Sequence, residues 1–450
     1  MPISGAVWSG PASRVAGSPS QVSRHTPRAF IRLISIVVAF ALAAGCGPSA
    51  SEETVLRFWA MGREGEVVAK LLPEFEQANP GIRVKVQQLP WTAAHEKLLT
   101  AFAGDATPDI CQLGNTWIPE LHALNALEPL DRDADSSAIV RADDYFAGIW
   151  DTNRIDGSLY GVPWYVDTRL VFFRTDRLAR AGFSAPPVSW PQWKRVLAAV
   201  HAEGGRDRYA MLLPLNEVEP LLALALQQDD PLLRDGGRWG NFTSAGFRRA
   251  FEFYLEIFRR GWAPMLATAA VANVWTEFGR GRFAFYISGP WNIGELKRRL
   301  PRDQQDNWMT APLPGPDGPG ASIAGGSSLV VFRASRHKAA AWRLVEFLSQ
   351  PSVQRRFHAL TGDLPPRRAT WDNPDIANDV HARAFREQLE RVKPAPKVPE
   401  WERIATEIRL VAERAAHGEV SVDEAVRVLD TRAARILEKR RWLLARKNGA

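Results

Sequence analysis

The sequence predicts an α/β fold in which mainly parallel sheets are flanked by helices. Between Thr54 and Leu113, short apolar strand patterns alternate with amphipathic helical ones. This βαβαβ order forms a parallel sheet with helices packed on it and ligands bound beyond the carboxyl ends of its strands. At 450 residues the chain is longer than one hydrophobic core usually supports, which implies two domains or one discontinuous pair. The Pro/Gly-rich segment Ala311-Pro-Leu-Pro-Gly-Pro-Asp-Gly-Pro-Gly320 then reads as a linker between lobes.

The amino-terminal segment stands apart from this fold. Arg24, Arg28 and Arg32 form a basic region, and Leu33 to Ala44 is an apolar run too short to span a bilayer, the pattern of a secretion signal. It ends in Leu42-Ala-Ala-Gly-Cys46, which resembles the lipobox of bacterial lipoproteins, where the signal is cut before a cysteine that is then acylated. Ala43 stands three residues before that cysteine, where leucine is usual. Residues 1–45 therefore read as a lipoprotein signal segment, Cys46 as the lipidation site, and residues 46–53 as a flexible tether. Cys46 and Cys111 are the only cysteines, which excludes a disulfide framework, a CxxC redox pair and a cysteine-rich zinc site. Cys111, within Asp109-Ile-Cys-Gln-Leu113, reads as a small buried residue. Hydrophobic content of 46% and charged content of 24% are ordinary for a globular protein. Part of the formal charge of +7 comes from Arg14, Arg24, Arg28 and Arg32, which precede Cys46 with no acid among them. The rest is too nearly neutral for a phosphate-tracking surface, so no nucleic-acid partner is expected.

Within the body, Thr54 to Trp59 is a strand and Ala60-Met-Gly62 a turn. Val67, Val68, Leu71, Leu72 and Phe75 then fall on one face of a helix from about Glu64 to Gln77, with Glu64 and Glu66 in its first turn. Ile82, Val84 and Val86 alternate as a second strand. Thr92 is placed to cap the next helix, and a third strand follows Thr107-Pro-Asp109. The ends of these strands carry Trp59, Trp91 and Trp117, and three tryptophans at loop positions point to an aromatic-lined cleft rather than to core packing.

The next stretch, Gly161 to Arg174, organises the chain. Leu170 to Phe173 is an unbroken apolar run, a strand covered on both faces. Just before it, Trp164, Tyr165 and Asp167 set aromatic faces beside a carboxylate, which suits a sugar ring with its apolar C–H face and hydroxyl rim. Ser189 opens a helix that buries Trp193, Val196, Leu197 and Val200, and Tyr209 to Leu213 is a strand. Ser244 caps a helix with a core stripe of Phe247, Phe251, Tyr254, Leu255 and Phe258. After the strand Phe283 to Ile287, Trp291 is presented at a tight turn. Gly325-Gly-Ser-Ser328 precedes a strand from Leu329 to Phe332, and a helix from Lys338 to Ser349 follows. Beyond Lys393 to Pro399 come two terminal helices, the first closed by Gly418 and the second capped by Ser421 with Glu424. The basic stretch from Lys439 to Lys447 reads as a solvated face.

Several pieces, taken in order, carry a family resemblance. They are Phe75-Glu-Gln-Ala-Asn-Pro-Gly-Ile-Arg-Val-Lys-Val86, Pro108-Asp109, Tyr160-Gly-Val-Pro163 with Asp167 and Arg174, and Ser288-Gly-Pro-Trp291. Ala311-Pro-Leu-Pro314, Gly325-Gly-Ser-Ser328 and Ala341-Trp-Arg-Leu-Val-Glu-Phe-Leu348 complete the set. Together they resemble the sugar-binding, extracellular (periplasmic) solute-binding proteins of bacterial ABC importers, in the branch of the maltose- and trehalose-binding proteins. The resemblance implies a two-lobed periplasmic-binding-protein fold of type II with the ligand cleft between lobes. Residues 54–166 with 321–366 would form lobe 1, and 167–320 with 367–450 lobe 2. The chain would cross near Tyr165 to Arg169, Ala311 to Ser322 and Leu364 to Ala369. It further implies a carbohydrate ligand, no cofactor and no metal, delivery to membrane permease subunits, a monomer, and a periplasmic or cell-surface location held by lipid.

By motif match the ligand positions fall on Glu64 or Glu66, Asn115, Trp117, Tyr165, Asp167, Trp291, Gly326, Ser327 and Arg367. Asp167 would accept from sugar hydroxyls, Trp117 and Trp291 would stack, and Arg367 would donate from the second lobe. On that reading Asp167→Ala weakens binding while changing stability little. Ser327 stands where relatives place a tryptophan and Gly289 where they place an aromatic residue, both of which would widen or reshape the pocket. The rival reading is a secreted glycoside hydrolase with a carboxylate pair drawn from Asp167, Glu217 and Glu277. Against it, His95-Glu96 lacks a second histidine, and no GxSxG or P-loop occurs. The run Asp131-Arg-Asp-Ala-Asp135 lacks the glycine and the closing glutamate of a calcium loop and reads as a polar turn.

Overall fold

β1 (Thr54–Met61) starts the first sheet in a computed structural model that describes residues 53–448 apart from 206, 268, 269 and 272. The signal segment and the lipidation expected at Cys46 lie outside the described residues. Among the described residues no helix is long and apolar enough to cross a membrane. The chain turns at Gly62, whose φ of +55° favours glycine, into α1 (Gly62–Val68) and then α2 (Leu72–Ala78). The single helix expected from Glu64 to Gln77 is thus two, because Pro73 lacks an N–H and fits only the first turn of a new helix. β2 (Ile82–Leu89), α3 (Trp91–Ala103) and β3 (Ile110–Gly114) complete the βαβαβ unit, with β1 parallel to both β2 and β3. Pro90 is the N-cap of α3, so Thr92 lies inside the helix instead of capping it. The acidic run Asp131–Ser136 is a short helix, not a turn.

β4 (Val162–Val166) forms the far edge of the first sheet, and across Asp167 to Arg169 the chain enters a second sheet at β5 (Leu170–Arg174), buried throughout. α4 (Trp190–Gly204) is capped by the Ser189 side chain and buries Trp193, Val196, Leu197 and Val200 as its spacing predicts. β6 (Tyr209–Leu212) and α5 (Glu219–Leu226) lead to α6 (Ala245–Arg259), whose phenylalanine stripe is core. β7 (Phe283–Ser288), α7 (Trp291–Arg299) and β8 (Trp308–Ala311) complete the second sheet, ordered β8-β5-β7-β6. β9 (Gly326–Val331) returns to the first, ordered β2-β1-β3-β9-β4, and α8 (Lys338–Leu348) and α9 (Pro351–Thr361) pack against its core. α10 (Trp401–Ala416) and α11 (Val422–Ile436) join the core of the second sheet. A third terminal helix, α12 (Glu438–Asn448), carries the basic end that was expected to belong to the second.

Both sheets are mainly parallel, as expected, and each contains one reversed strand. β9 runs antiparallel to β3 and β4, and β5 runs antiparallel to β7 and β8. The cause is topological. β1 to β4 all end at one edge of the first sheet, and β9, arriving from the second sheet, begins at that same edge and must run the other way. The connections also lie side by side: the Val166 N–H donates to the Leu364 carbonyl and the Asp167 N–H to the Gly325 carbonyl, each at 3.0 Å. The Pro/Gly-rich segment is tied down rather than free. The Pro314 carbonyl accepts from Trp190 Nε1 and Gln227 Nε2, both at 3.1 Å, because a prolyl carbonyl remains an acceptor where the ring has removed the donor.

Candidate functional site

A cavity of about 550 Å³ lies where the two sheets bring these edges together. Glu64 reaches it from the start of α1, Trp91 from the start of α3, and Asn115 and Trp117 from the turn after β3. Tyr165 at the end of β4 and Ser327 in β9 complete the first wall. The second wall is Glu219 and Leu222 on α5, Trp291 at the start of α7, and Trp401 and Glu402 at the start of α10. Asp167 and Arg169, in the connection between sheets, lie at its base with Gly325, Gly326 and Asp363.

Local geometry explains several of these placements. A Cβ on Gly289 would stand 1.9 Å from the Trp291 ring, so this glycine seats the indole and does not widen the pocket. Gly326 has φ +138°, and a Cβ there would meet the Tyr165 carbonyl at 2.4 Å; glycine lets β9 start hard against the connection. Asp167 and Arg169 stand two apart in the connection between β4 and β5, and their side chains meet. Arg169 Nη1 lies 3.1 Å from Asp167 Oδ1, Nη2 lies 3.7 Å from Glu219 Oε1, and the guanidinium sits 4.7 Å from the centre of the Trp291 ring.

The hydroxyl of Tyr165 is fixed inside a buried network. Ser327 Oγ donates to it at 3.0 Å, Gln112 Nε2 donates to it at 3.0 Å, and Gln112 Oε1 accepts from the Met61 N–H at 2.7 Å. Trp117 packs edge-on to Trp91, with ring centres 5.6 Å apart, and against His95 at 5.0 Å, which Glu120 holds at 2.7 Å.

Electrostatically the cavity is a set of carboxyls around one guanidinium. Burial raises the Glu64 carboxyl above its ordinary range, with Asp167 adding to the effect and hydrogen bonds from Tyr165 and Trp91 opposing it. Burial pushes Asp363 further up, reinforced by Glu64 and Asp167. Asp167 is also raised by burial, against the pull of Arg169. Burial works against the charge on Arg169, but Asp167 and Glu219 more than offset it and hold the group charged. Glu402 is raised by burial, with a hydrogen bond from Thr116 opposing. These are groups able to accept hydrogen bonds from hydroxyls, or to donate them where a proton is retained, beside flat apolar rings.

Of the residues expected to hold ligand, the cavity is lined by Glu64, Asn115, Trp117, Tyr165, Asp167, Trp291, Gly326 and Ser327. Two are elsewhere. Glu66 is exposed, because two residues along a helix turn it some 200° from Glu64. Arg367 is buried away from the cavity, its Nε donating to Asp144 Oδ2 at 2.5 Å and its Nη1 to the Ser349 carbonyl at 2.6 Å, so the guanidinium clamps the third connection. Asn115 and Ser327 line the space with side chains already engaged, Asn115 Nδ2 donating to the Ala324 carbonyl at 2.8 Å. Trp59 is core, not cleft. Of the carboxylates weighed for hydrolysis, Glu277 pairs with Arg280 and Arg282 outside the cavity. Arg169, Glu219, Asp363, Trp401 and Glu402 were not anticipated. Nearness to Asp167 in the sequence could have found Arg169, whereas Trp401 and Glu402 arrive through tertiary packing.

The family described as bacterial extracellular solute-binding protein matches residues 70–384. The sugar-binding protein MalE from the phytopathogen Xanthomonas citri is similar in structure with a TM-score of 0.84 and 59% identity, over 87% of this chain and 99% of that one. An uncharacterized lipoprotein in the oleD 5' region of Streptomyces antibioticus is 27% identical over 403 residues, covering 83% of this chain and 86% of that protein. The diacetylchitobiose binding protein DasA of Streptomyces coelicolor is 22% identical over 390 residues, covering 83% and 90% respectively.

Proposed function

Because the chain belongs to the bacterial extracellular solute-binding proteins, which bind solutes and are not enzymes, and has their two-lobed type II fold, we propose that it captures a carbohydrate between its lobes and delivers it to an ABC transporter permease. The observation that carries this reading is the cavity itself, where Trp91, Trp117 and Trp291 supply apolar faces and Glu64, Asp167 and Glu219 supply acceptors from both walls. Its volume of about 550 Å³ is within the range of small-molecule sites. The sugar in this proposal is a di- or oligosaccharide of the maltose/trehalose type; the 59% identical relative is described as a sugar-binding protein.

In this proposal residues 54–166 with 321–366 act as one lobe and 167–320 with 367–450 as the other, and sugar selects the form in which they close. The protein is exported, cut ahead of Cys46 and held at the membrane by lipid there, a reading supported by the lipoprotein name of one relative. It works as a monomer. Calorimetric titration with maltose, trehalose and longer glucosides tests the ligand, and small-angle scattering with saturating sugar tests closure through a smaller radius of gyration. Absence of heat and of any melting shift across the sugar panel sinks the ligand assignment, and an unchanged scattering profile on confirmed binding sinks the closure. Lipid labelling that persists in Cys46→Ala sinks the anchoring.

A further inference from the structure

We propose that the outer face of α12 docks on an anionic membrane surface. The helix is held to the protein from beneath. Arg441 Nη1 donates to the Arg238 and Ala434 carbonyls at 3.2 and 2.7 Å, and its guanidinium lies 3.9 Å from the centre of the Trp239 ring. Lys439, Trp442, Leu443 and Arg446 remain exposed, and spacings of three and four residues place them on one face. Trp442, 54% exposed, and Leu443, 49% exposed, are the two most exposed large apolar side chains among the described residues. The Arg446 guanidinium lies 4.3 Å from the centre of the Trp442 ring, so cation and indole form one surface unit. Glu438 is the only acid on α12.

A basic helix end alone is a solvated face, as the sequence suggested. An indole and a leucine standing in water between Lys439 and Arg446 are the composition of a helix that lies at a bilayer surface. There Trp occupies the layer between headgroups and acyl chains, and each cation is drawn to anionic lipid. An acidic protein surface would answer the cations but would offer the indole no layer that is apolar on one side and wet on the other.

The test uses the full chain carrying Cys46→Ser, so that no acyl group contributes, sedimented with phosphatidylcholine vesicles with and without phosphatidylglycerol. Every variant keeps the same amino-terminal segment, so differences between them report α12. The parent chain is expected to bind the anionic vesicles more than the neutral ones and to lose that excess in high salt. Lys439→Glu with Arg446→Glu should lower partitioning by on the order of thirtyfold or more, and Trp442→Ser with Leu443→Ser should also weaken it, with melting temperature and sugar affinity unchanged. Single Trp442→Ser gives the same direction should the double variants melt early. Equal partitioning of parent and variants, equal binding to neutral vesicles, or no binding to anionic ones overturns the proposal. Release by salt with no effect of Trp442→Ser leaves charge attraction alone and overturns the seating of the indole at the bilayer surface.

Discussion

Replacing Asp167 by alanine tests the binding role read from the sequence together with a structural one, its ion pair with Arg169. Its carboxylate is 3.1 Å from Arg169, whose side chain is 8% exposed, while that of Asp167 is 29% exposed. Removing one member of a buried ion pair costs about 3–5 kcal/mol, because the remaining charge is left without its partner. Here Glu219, 3.7 Å from Arg169, and the Trp291 ring persist, so the loss should sit below that range, at about 2–3 kcal/mol. For a folded body of roughly 400 residues, unfolding entropy near 0.8 kcal/mol/K turns this into a fall in melting temperature of about 3 °C. Sugar affinity should fall about ten- to a hundredfold, the worth of a charge-assisted hydrogen bond in a desolvated cleft. The expectation that stability would change little is therefore revised. Asp167→Ala combined with Arg169→Met removes the stranded charge as well. It should recover most of the melting temperature and none of the affinity. Thermal melts beside calorimetric titration decide it. An unshifted melt in Asp167→Ala would refute the pairing, and wild-type affinity would refute the placement of the sugar.

Trp291→Ala removes both a stacking face and the ring beneath Arg169, and titration should register a loss of about tenfold or more in affinity. Arg367→Ala breaks the pair with Asp144 and leaves the Ser349 carbonyl unmet. It should destabilise by about 3 kcal/mol in melts while sugar affinity holds, and a selective loss of affinity would return Arg367 to the cleft. The raised carboxyls of Glu64 and Asp363 set a pH dependence. Their folded pKa values lie above the unfolded ones, so their contribution is fully present below the ordinary values of 4.5 and 3.8 and is lost as pH rises through the folded pKa values. Between mildly acidic and neutral pH the ligand-free protein should therefore lose stability from these two groups. Glu64→Gln and Asp363→Asn should flatten that slope and raise the melting temperature at pH 7, and an unaltered slope in both variants would rule the mechanism out.

Local pattern made much of this architecture legible. The helix with Val196, Leu197 and Val200 and the one with Phe247, Phe251 and Phe258 follow from 3.6-residue spacing, and the Ser189, Ser244 and Ser421 caps follow from side-chain chemistry. What could not be read is non-local. The reversal of β9 depends on which edge of a sheet the chain re-enters, and nothing in Gly326–Val331 itself records that. In the cavity, Asp167 and Trp291 were readable because each stands at the mouth of a strand. Trp401 and Glu402 open a helix remote in sequence and reach the cleft only because α10 packs against α6 in one core. Arg367 was misjudged for a related reason, since its partner Asp144 lies far away along the chain and a free fork of donors was inferred where an occupied one exists.

The side-by-side connections bear on how this protein bends. Val166 is hydrogen-bonded to Leu364 and Asp167 to Gly325, so residues from all three connecting segments share one small ribbon, and a Cβ on Gly325 would stand 2.0 Å from the Asp167 carbonyl. Val166, Ala324 and Leu364, one from each segment, are buried in a single apolar cluster. Three separate tethers would allow twisting, sliding and opening alike. Segments zipped edge to edge resist shear along their length and twist about it, and flex most easily across the ribbon. In the closure proposed above the two halves would be geared to one soft direction, and a bulky residue at Gly325, whose Cβ meets the connection rather than a strand, should stiffen or misdirect that motion.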